Sequence, residues 1–361
     1  LAAAWRQKMP ARLLAITGSS GKTSVKEMLA AILCAAVGAE AVLATQGNLN
    51  NDIGMPLTLL RLRPEHQFAV VEMGMNHAGE IAYLSQLAHP DVAVIINAGT
   101  AHIGMLGSRQ AIALAKSEIW AGLGEHGVAV VNADDAYAEL WRDLAGAHKL
   151  IDFGLAHAQA VRGSYQAQAM ANVITMQIGS ESLAVRLAVA GEHNVMNALA
   201  AAAVAHAVGV DLSAIKAGLE GYQGVKGRLQ RKSALHGAVV IDDSYNANPD
   251  STHAAIKVLA ASEGKKILVL GDMGELGDDA VAMHTQVGTM AKMAGVDALF
   301  ALGDLSRHAV AAFGVGAHHY TDVAVLAADV AATLAADVTV LVKGSRFMQM
   351  ERVVNILEEQ A

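Results

Sequence analysis

Thr17-Gly18-Ser19-Ser20-Gly21-Lys22-Thr23-Ser24 sits directly after an apolar run, residues 12–17, and directly before a helix-periodic one, residues 22–37. A strand that turns through glycines into a helix aligns successive backbone N–H groups with the positive helix end, and together they form an anion cradle. Gly18 and Gly21 let the chain turn and approach an anion closely. In the phosphate-binding loop that this context suggests, Lys22 faces the outer phosphates and Thr23 ligates Mg²⁺. The generic loop carries one more glycine, five residues before Gly21. That position is Ile16, so the match is imperfect.

Outward from this loop, short apolar runs alternate with helical patterns. Strands are predicted at 68–72, 91–97 and 127–132, and helices at 79–88 and 108–123. Continuous apolar strands separated by helices predict an α/β fold with a mostly parallel sheet covered on both faces. From 161 to 189 the period changes to two, which predicts a small antiparallel sheet. Helices follow at 194–208 and 212–220. The polar, glycine-rich segment 221–227 reads as a domain boundary. The α/β alternation then restarts, with strands at 238–242, 266–270, 298–302 and 338–342, as in a smaller doubly wound, Rossmann-like domain. The predicted domains are 1–223 and 224–361.

The 361 residues are 53% hydrophobic and 17% charged, a composition that buries a large core. Aromatics make up only 4%, so aliphatic side chains and 15 Met must fill that core. A net charge of −8 argues against a nucleic-acid partner. Cys34 is the one cysteine; it forms no internal disulfide and fits a reducing cytoplasm. The most apolar stretch, residues 29–44, is interrupted by Gly38 and Glu40 and reads as a buried helix and strand rather than a membrane span. No signal peptide is expected. The chain starts at Leu1 rather than Met and reads as a piece with something upstream left out.

Several further groups are candidates for chemistry. Glu72 ends an apolar strand, and an acid there belongs near a nucleotide metal once the phosphate loop is given. His102 lies in a loop after the strand 91–97, where α/β proteins place ligands, although a lone histidine is more often structural. Lys116, on the next helix, reads from sequence physics alone as a solvated surface lysine. His193 or Asn194 is either an N-cap or, with Asn197, a ligand contact. Asp242-Asp243-Ser244-Tyr245-Asn246-Ala247-Asn248-Pro249 follows a strand and suits either ribose contacts or a capping turn. Lys343-Gly344-Ser345-Arg346 opens the last helix and suits either a carboxylate or a plain cap.

The ordered segments ITGSSGKTS, GNLNNDIGMP, EMG, AHIGMLGS, AKSEI, VNADD, GEHNVMNALAA, GRL, DDSYNAN, LGDMGELG and LVKGSR resemble the Mur ligases from about residue 10 to residue 354. GNLNNDIG, DDSYNANP and VKGSR resemble the D-alanyl-D-alanine-adding branch. The resemblance implies three domains: one for the UDP-sugar, one for ATP, and a Rossmann-like one that closes over the site. This sequence holds the second and third. It implies an ADP-forming, amide-bond-forming ligase that joins D-alanyl-D-alanine to UDP-N-acetylmuramoyl-tripeptide in peptidoglycan precursor synthesis, in the bacterial cytoplasm, as a monomer. It assigns Thr17, Gly18, Ser19, Ser20, Gly21, Lys22 and Thr23 to the ATP phosphates. Thr23 and Glu72 take a first Mg²⁺, and His102 takes a second. Lys116 becomes a carbamoylated lysine. Asn197 contacts adenine, Asp243 ribose, and Arg228 the γ-phosphate. Asn246, Asn248, Lys343, Ser345 and Arg346 are assigned to substrate. Tyr245 stands where some members carry a lysine, so a direct phosphate contact from it is not expected. The rival readings are a folylpolyglutamate-synthetase-like ligase, which GNLNNDIG and DDSYNANP disfavour, and a nucleotide-switched binding module.

Overall fold

The computed structural model describes residues 1–101, 103–168 and 171–359. By internal contacts the chain forms two compact units. One is Leu1–Gly99, Met105–Ala188 and Glu192–Gln223; the other is Thr100–Gly104, Val189–Gly191 and Gly224–Ala361.

The first unit is built on nine strands: β1 (Arg12–Thr17), β2 (Val42–Ala44), β3 (Phe68–Glu72), β4 (Val92–Ile95), β5 (Val128–Asn132), β6 (Lys149–Gly154), β7 (Val161–Gln168), β8 (Ala171–Ile178) and β9 (Glu181–Leu187). Their order is β2-β3-β1-β4-β5-β6-β7-β8-β9. Every residue of β3, β4 and β5 is buried, as helices on both faces of a parallel sheet require. Strand β9 alternates instead, with one wet face. The antiparallel strands β7–β9 do not stand apart: β7 pairs in parallel with β6, Phe153 opposite Val161, and so extends the large sheet. Ile16 lies opposite Glu72, and Thr17 lies opposite Ile95. That register brings the carboxyl ends of β3 and β4 to either side of the loop that follows β1.

The expected helix over 108–123 is shorter. It runs Arg109–Ser117 and tightens into a 3-10 turn, Glu118–Gly122. Helix Glu80–Ala88 causes this. The Ser85 hydroxyl donates to the Ile119 carbonyl and accepts from the Gly122 N–H, and the Glu118 carboxylate turns aside to accept from Gly79 and Ala82. A side chain at 122 would meet the Ser85 carbonyl at 2.0 Å, so the contact needs glycine.

The second unit contains β10 (Gln230–Ser233), β11 (Val239–Asp243), β12 (Lys265–Gly271), β13 (Ala298–Leu302), β14 (Ala317–Tyr320) and β15 (Val338–Lys343). The order is β10-β11-β15-β12-β13-β14, and only β10 is antiparallel to its neighbour. Two apolar clusters cover the two sheet faces, one around Leu268, Leu270 and Leu341, the other around Val269, Val340 and Val342. These residues alternate along β12 and β15, as a sheet buried on both faces demands.

The helix that leaves the phosphate loop, Lys22–Val37, packs closely on helix Leu212–Gly221 because Gly218 has no side chain. A Cβ there would lie 2.3 Å from the Ile32 Cα. Gly218→Ala is therefore expected to destabilise the protein by about 1–3 kcal/mol in urea unfolding. Gly221→Ala, which meets nothing within 4 Å, should stay within about 0.5 kcal/mol of the parent. Equal effects at the two positions would refute the packing argument.

Candidate nucleotide site

The loop after β1 is held from β4. The Asn97 side chain accepts from the Ser20 N–H (3.0 Å) and donates to the Ser20 carbonyl (3.0 Å), while the Asn97 carbonyl accepts from the Ser19 N–H (3.1 Å). The Ser19 hydroxyl accepts from Gly99 N–H at 2.9 Å, and the Thr17 hydroxyl donates to the Met73 carbonyl at 3.0 Å. Both ends of one amide are thus spent on fixing the loop. Gly21 has φ +88, and a Cβ there would fall 2.4 Å from Asn197 Oδ1. Asn197 donates in turn to Asn194 Oδ1 at 3.3 Å. Helix Glu192–Ala207 therefore lays an amide against the loop at the residue where only glycine fits.

Lys22 Nζ donates to the Gly18 carbonyl at 2.7 Å, so its ammonium lies over the loop. The Thr23 hydroxyl lies 3.3 Å from Glu72 Oε2, which also accepts from Asn50 Nδ2 at 3.4 Å. Glu72 is 1% exposed, and its Oε1 is buried with no partner. A buried carboxylate oxygen without a donor costs free energy unless a cation takes it up. The hydroxyl of Thr23 and the carboxylate of Glu72 are hard oxygen donors of the kind that suits Mg²⁺, which is commonly held by one or two protein groups plus phosphate and water. Among the described residues no group of three or more His, Cys, Asp or Glu is arranged to hold a metal by itself.

Lys116 is not the surface lysine that sequence physics preferred. It is 2% exposed and among the largest fully buried side chains. Burial, reinforced by the positive charge of Lys22, holds its pKa well below 10.5. The signal was present: Ile112, Ala113 and Lys116 fall on one buried helical face, so the lysine occupies a core position of the stripe. His102 lies outside the described residues. Asn50 stood within the quoted segment GNLNNDIGMP without a role of its own, and Asn97 stood at the end of the predicted strand 91–97.

In the second unit Asp243 and Lys343 end neighbouring strands in direct register. Their side chains form a buried ion pair at 2.5 Å, and Lys343 Nζ also donates to the Asn246 carbonyl at 3.0 Å. The Lys343 ammonium, read from the sequence as a substrate contact, is thus committed to the protein. Asp243 also accepts from Leu229 N–H at 3.2 Å; burial raises its pKa, opposed by Lys343 and Arg228. Asn248 caps helix Pro249–Ala260 in a capping box with Ser251. Ser345 accepts from Gly274 N–H and donates to the Ala247 carbonyl. Both serve the turn itself. Asn246 and Arg346 remain exposed, with Asn246 Oδ1 accepting from the Arg346 N–H at 3.3 Å. The Arg228 guanidinium lies 4.5 Å from the centre of the Tyr245 ring.

Two family models match the chain: Mur ligase middle domain over residues 16–205, and Mur ligase, glutamate ligase domain over residues 227–346. The chain belongs to the Mur ligase family. It is 45% identical to the UDP-N-acetylmuramoyl-tripeptide–D-alanyl-D-alanine ligase of Escherichia coli (strain K12), over 99% of this chain and 79% of that protein. To the enzyme of that name from Bacillus subtilis (strain 168) it is 36% identical, over 99% and 78%. The MurF crystal structure from Acinetobacter baumannii superposes with a TM-score of 0.91 at 39% identity, over 98% of this chain and 78% of that one. MurF from Thermotoga maritima in complex with ADP gives a TM-score of 0.88 at 27% identity, over 98% and 81%. No helix of the described residues is long and apolar enough to cross a membrane.

The burial of Lys116 has a measurable consequence. Its folded pKa is lowered, so below 10.5 the unfolded chain binds the extra proton and stability falls as pH falls, until the folded pKa is passed. In nucleotide-free, bicarbonate-free buffer, Lys116→Met should stabilise the protein. It should also remove up to about 1.4 kcal/mol per pH unit from the slope of unfolding free energy in the range just below 10.5. An unchanged slope would mean that the ammonium is solvated.

Proposed function

We propose that this chain is an ATP-dependent, ADP-forming ligase that joins D-alanyl-D-alanine to UDP-N-acetylmuramoyl-tripeptide for peptidoglycan precursor synthesis in the bacterial cytoplasm. What supports the reading is 45% identity to a D-alanyl-D-alanine-adding relative over 99% of this chain and 79% of that protein, together with the ordered glycine loop after β1. The folylpolyglutamate synthase of Mycobacterium tuberculosis is 17% identical with a TM-score of 0.77, a likeness of fold alone.

A carboxylate is a poor acyl donor because its oxide leaves badly. Transfer of the γ-phosphoryl group of ATP to the tripeptide carboxylate makes an acyl phosphate. The amine of D-alanyl-D-alanine then attacks its carbonyl, and phosphate leaves the tetrahedral intermediate. An anionic carboxylate must approach an anionic triphosphate, so the protein's task is to place positive charge and fixed dipoles around the transferring group. The loop amides from Gly18 to Thr23 cradle the phosphates, and Lys22 shifts from the Gly18 carbonyl to the outer phosphate oxygens. Arg228 supplies a second cation for the γ-phosphate. Asn197, already against the loop, serves the adenine, and Asp243, oriented by Lys343 and Leu229 N–H, serves the ribose. Asn246 and Arg346 face the substrate.

Thr23 and Glu72 would hold one Mg²⁺, and Lys116 with His102 a second; bound there, Mg²⁺ screens the phosphate charge. An ammonium at position 116 would repel such an ion. A neutral lysine amine, which the lowered pKa favours, adds CO₂ to give a carbamate, and that turns the side chain into an oxygen donor of opposite charge.

The test is coupled phosphate release. It should require both UDP-N-acetylmuramoyl-tripeptide and D-alanyl-D-alanine, and release without the dipeptide would favour a nucleotide switch. Lys22→Ala should lower turnover by ~10²–10³-fold with the fold intact by circular dichroism. Near-normal turnover would remove Lys22 from the phosphates. With ¹³C-bicarbonate, a carbamate carbon resonance should appear in the parent and be lost in Lys116→Ala; its absence in the parent would refute the modification.

A further inference from the structure

We propose that Tyr245 is a positioning residue for Arg228: its ring is a platform on which the guanidinium is held. The inference rests on the reading of Arg228 as a γ-phosphate contact and extends it to a residue that the sequence pattern left without a role.

The geometry lies wholly within the second unit. The turn Gly227-Arg228-Leu229 is sewn to the segment after β11 at two points: Tyr245 N–H donates to the Gly227 carbonyl at 3.1 Å, and Leu229 N–H donates to Asp243 Oδ1 at 3.2 Å. Gly227 has φ +72, and a Cβ there would approach Tyr245 Cβ at 3.3 Å, so the glycine is what lets the two segments close. Leu229 itself is held at φ +50, a strained backbone for a residue with a side chain, which the bond to the buried Asp243 sustains. Between these two points Arg228 projects over the Tyr245 face, 4.5 Å from its centre. Arg346, from the turn after β15, lies 5.9 Å from the same ring. Its charge is met by Glu351 at 2.7 Å.

An aromatic face suits this task. It attracts a guanidinium through the ring quadrupole and adds no formal negative charge. Arg228 also feels the Asp243 carboxylate, which Lys343 already pairs, and the ring adds a hold on the guanidinium without adding formal charge. The ring also favours arginine over lysine, because a planar guanidinium stacks and keeps its N–H edge outward for phosphate oxygens. The phenol hydroxyl is not required, and this separates the inference from a hydrogen-bonding or proton-transfer role for Tyr245.

The experiment is steady-state phosphate release, with ATP varied, for Tyr245→Leu, Tyr245→Phe, Arg228→Ala and the double variant Arg228→Ala/Tyr245→Leu, each checked for an unchanged melting temperature. Tyr245→Leu should lower kcat by about 5- to 30-fold with little change in KM for ATP, the pattern of a contact made mainly in the transition state. Tyr245→Phe should rescue most of that loss. In the Arg228→Ala background, Tyr245→Leu should cost no more than about 2-fold, because residues that act through one another are not additive. Additive losses, or a Phe variant as poor as the Leu variant, would overturn the platform role while leaving Arg228 at the phosphate. An Arg228→Ala variant with parental kcat would overturn the reading of Arg228 itself, and the platform with it.

Discussion

The burial of Lys116 beside the positive charge of Lys22 is the constraint on which the ligand end of the first unit depends. Lys116 is almost wholly enclosed, and the charge that acts on it is that of Lys22. Folding places both near the end of a parallel sheet, where Glu72 Oε1 is also buried without a partner. A lysine amine held below its usual pKa and a carboxylate oxygen without a donor, kept in a water-poor place, raise the free energy of the protein. The same arrangement gains most from a ligand that brings anionic phosphates and hard cations together. Desolvation concentrates here, at the end of a sheet whose strands β3 and β4 are wholly buried.

The second unit solves a related problem by different means. Its two charged strand ends, Asp243 and Lys343, are direct neighbours in register, so each satisfies the other in the core. Removing either partner alone would leave an uncompensated buried charge, a loss of about 3–5 kcal/mol. The pair stiffens the carboxyl edge of the sheet, and the groups left to face solvent, Asn246 and Arg346, stand on turns that the pair supports. A lysine that looks like a ligand contact in a sequence motif thus serves as the fixed base on which other contacts are set.

How much of this was legible follows from how local each signal was. The phosphate loop was plain, because strand, glycine turn, lysine and helix are consecutive and only one geometry uses them all. Glu72 became legible through its strand, since register alone brings it level with Ile16. The continuous apolar runs gave the parallel sheet, and the change to period two gave β7–β9, but no local pattern says that β7 pairs with β6. Lys116 was misjudged because charge was weighed before position: on the Ile112–Ala113–Lys116 face the helix declares burial, and only the tertiary fold decides whether that face is deep. The shortened helix after Ser117 was not legible, because Ser85, more than thirty residues away in sequence, captures its last turn. Asn50, Asn97 and the Arg228–Tyr245 contact were hidden for a similar reason, as each acts across strands or segments distant in sequence.

Several of the side chains that fix these groups are neutral. Asn97 clamps Ser20, Asn197 packs on Gly21, Asn50 steadies Glu72, Asn248 caps the helix after β11, and an aromatic ring carries Arg228. A carboxylate could satisfy several of the same donors more strongly. Each added anion beside the loop would also repel an anionic ligand and lower the positive potential that Lys22 and the loop amides provide. An amide offers a donor and an acceptor in a fixed plane, so one side chain ties down both the N–H and the carbonyl of a loop residue, as Asn97 does, and leaves the local charge unchanged. In the first unit the loop after β1 is scaffolded by amides, and in the second the acid Asp243 is paired within the core while an aromatic face carries Arg228.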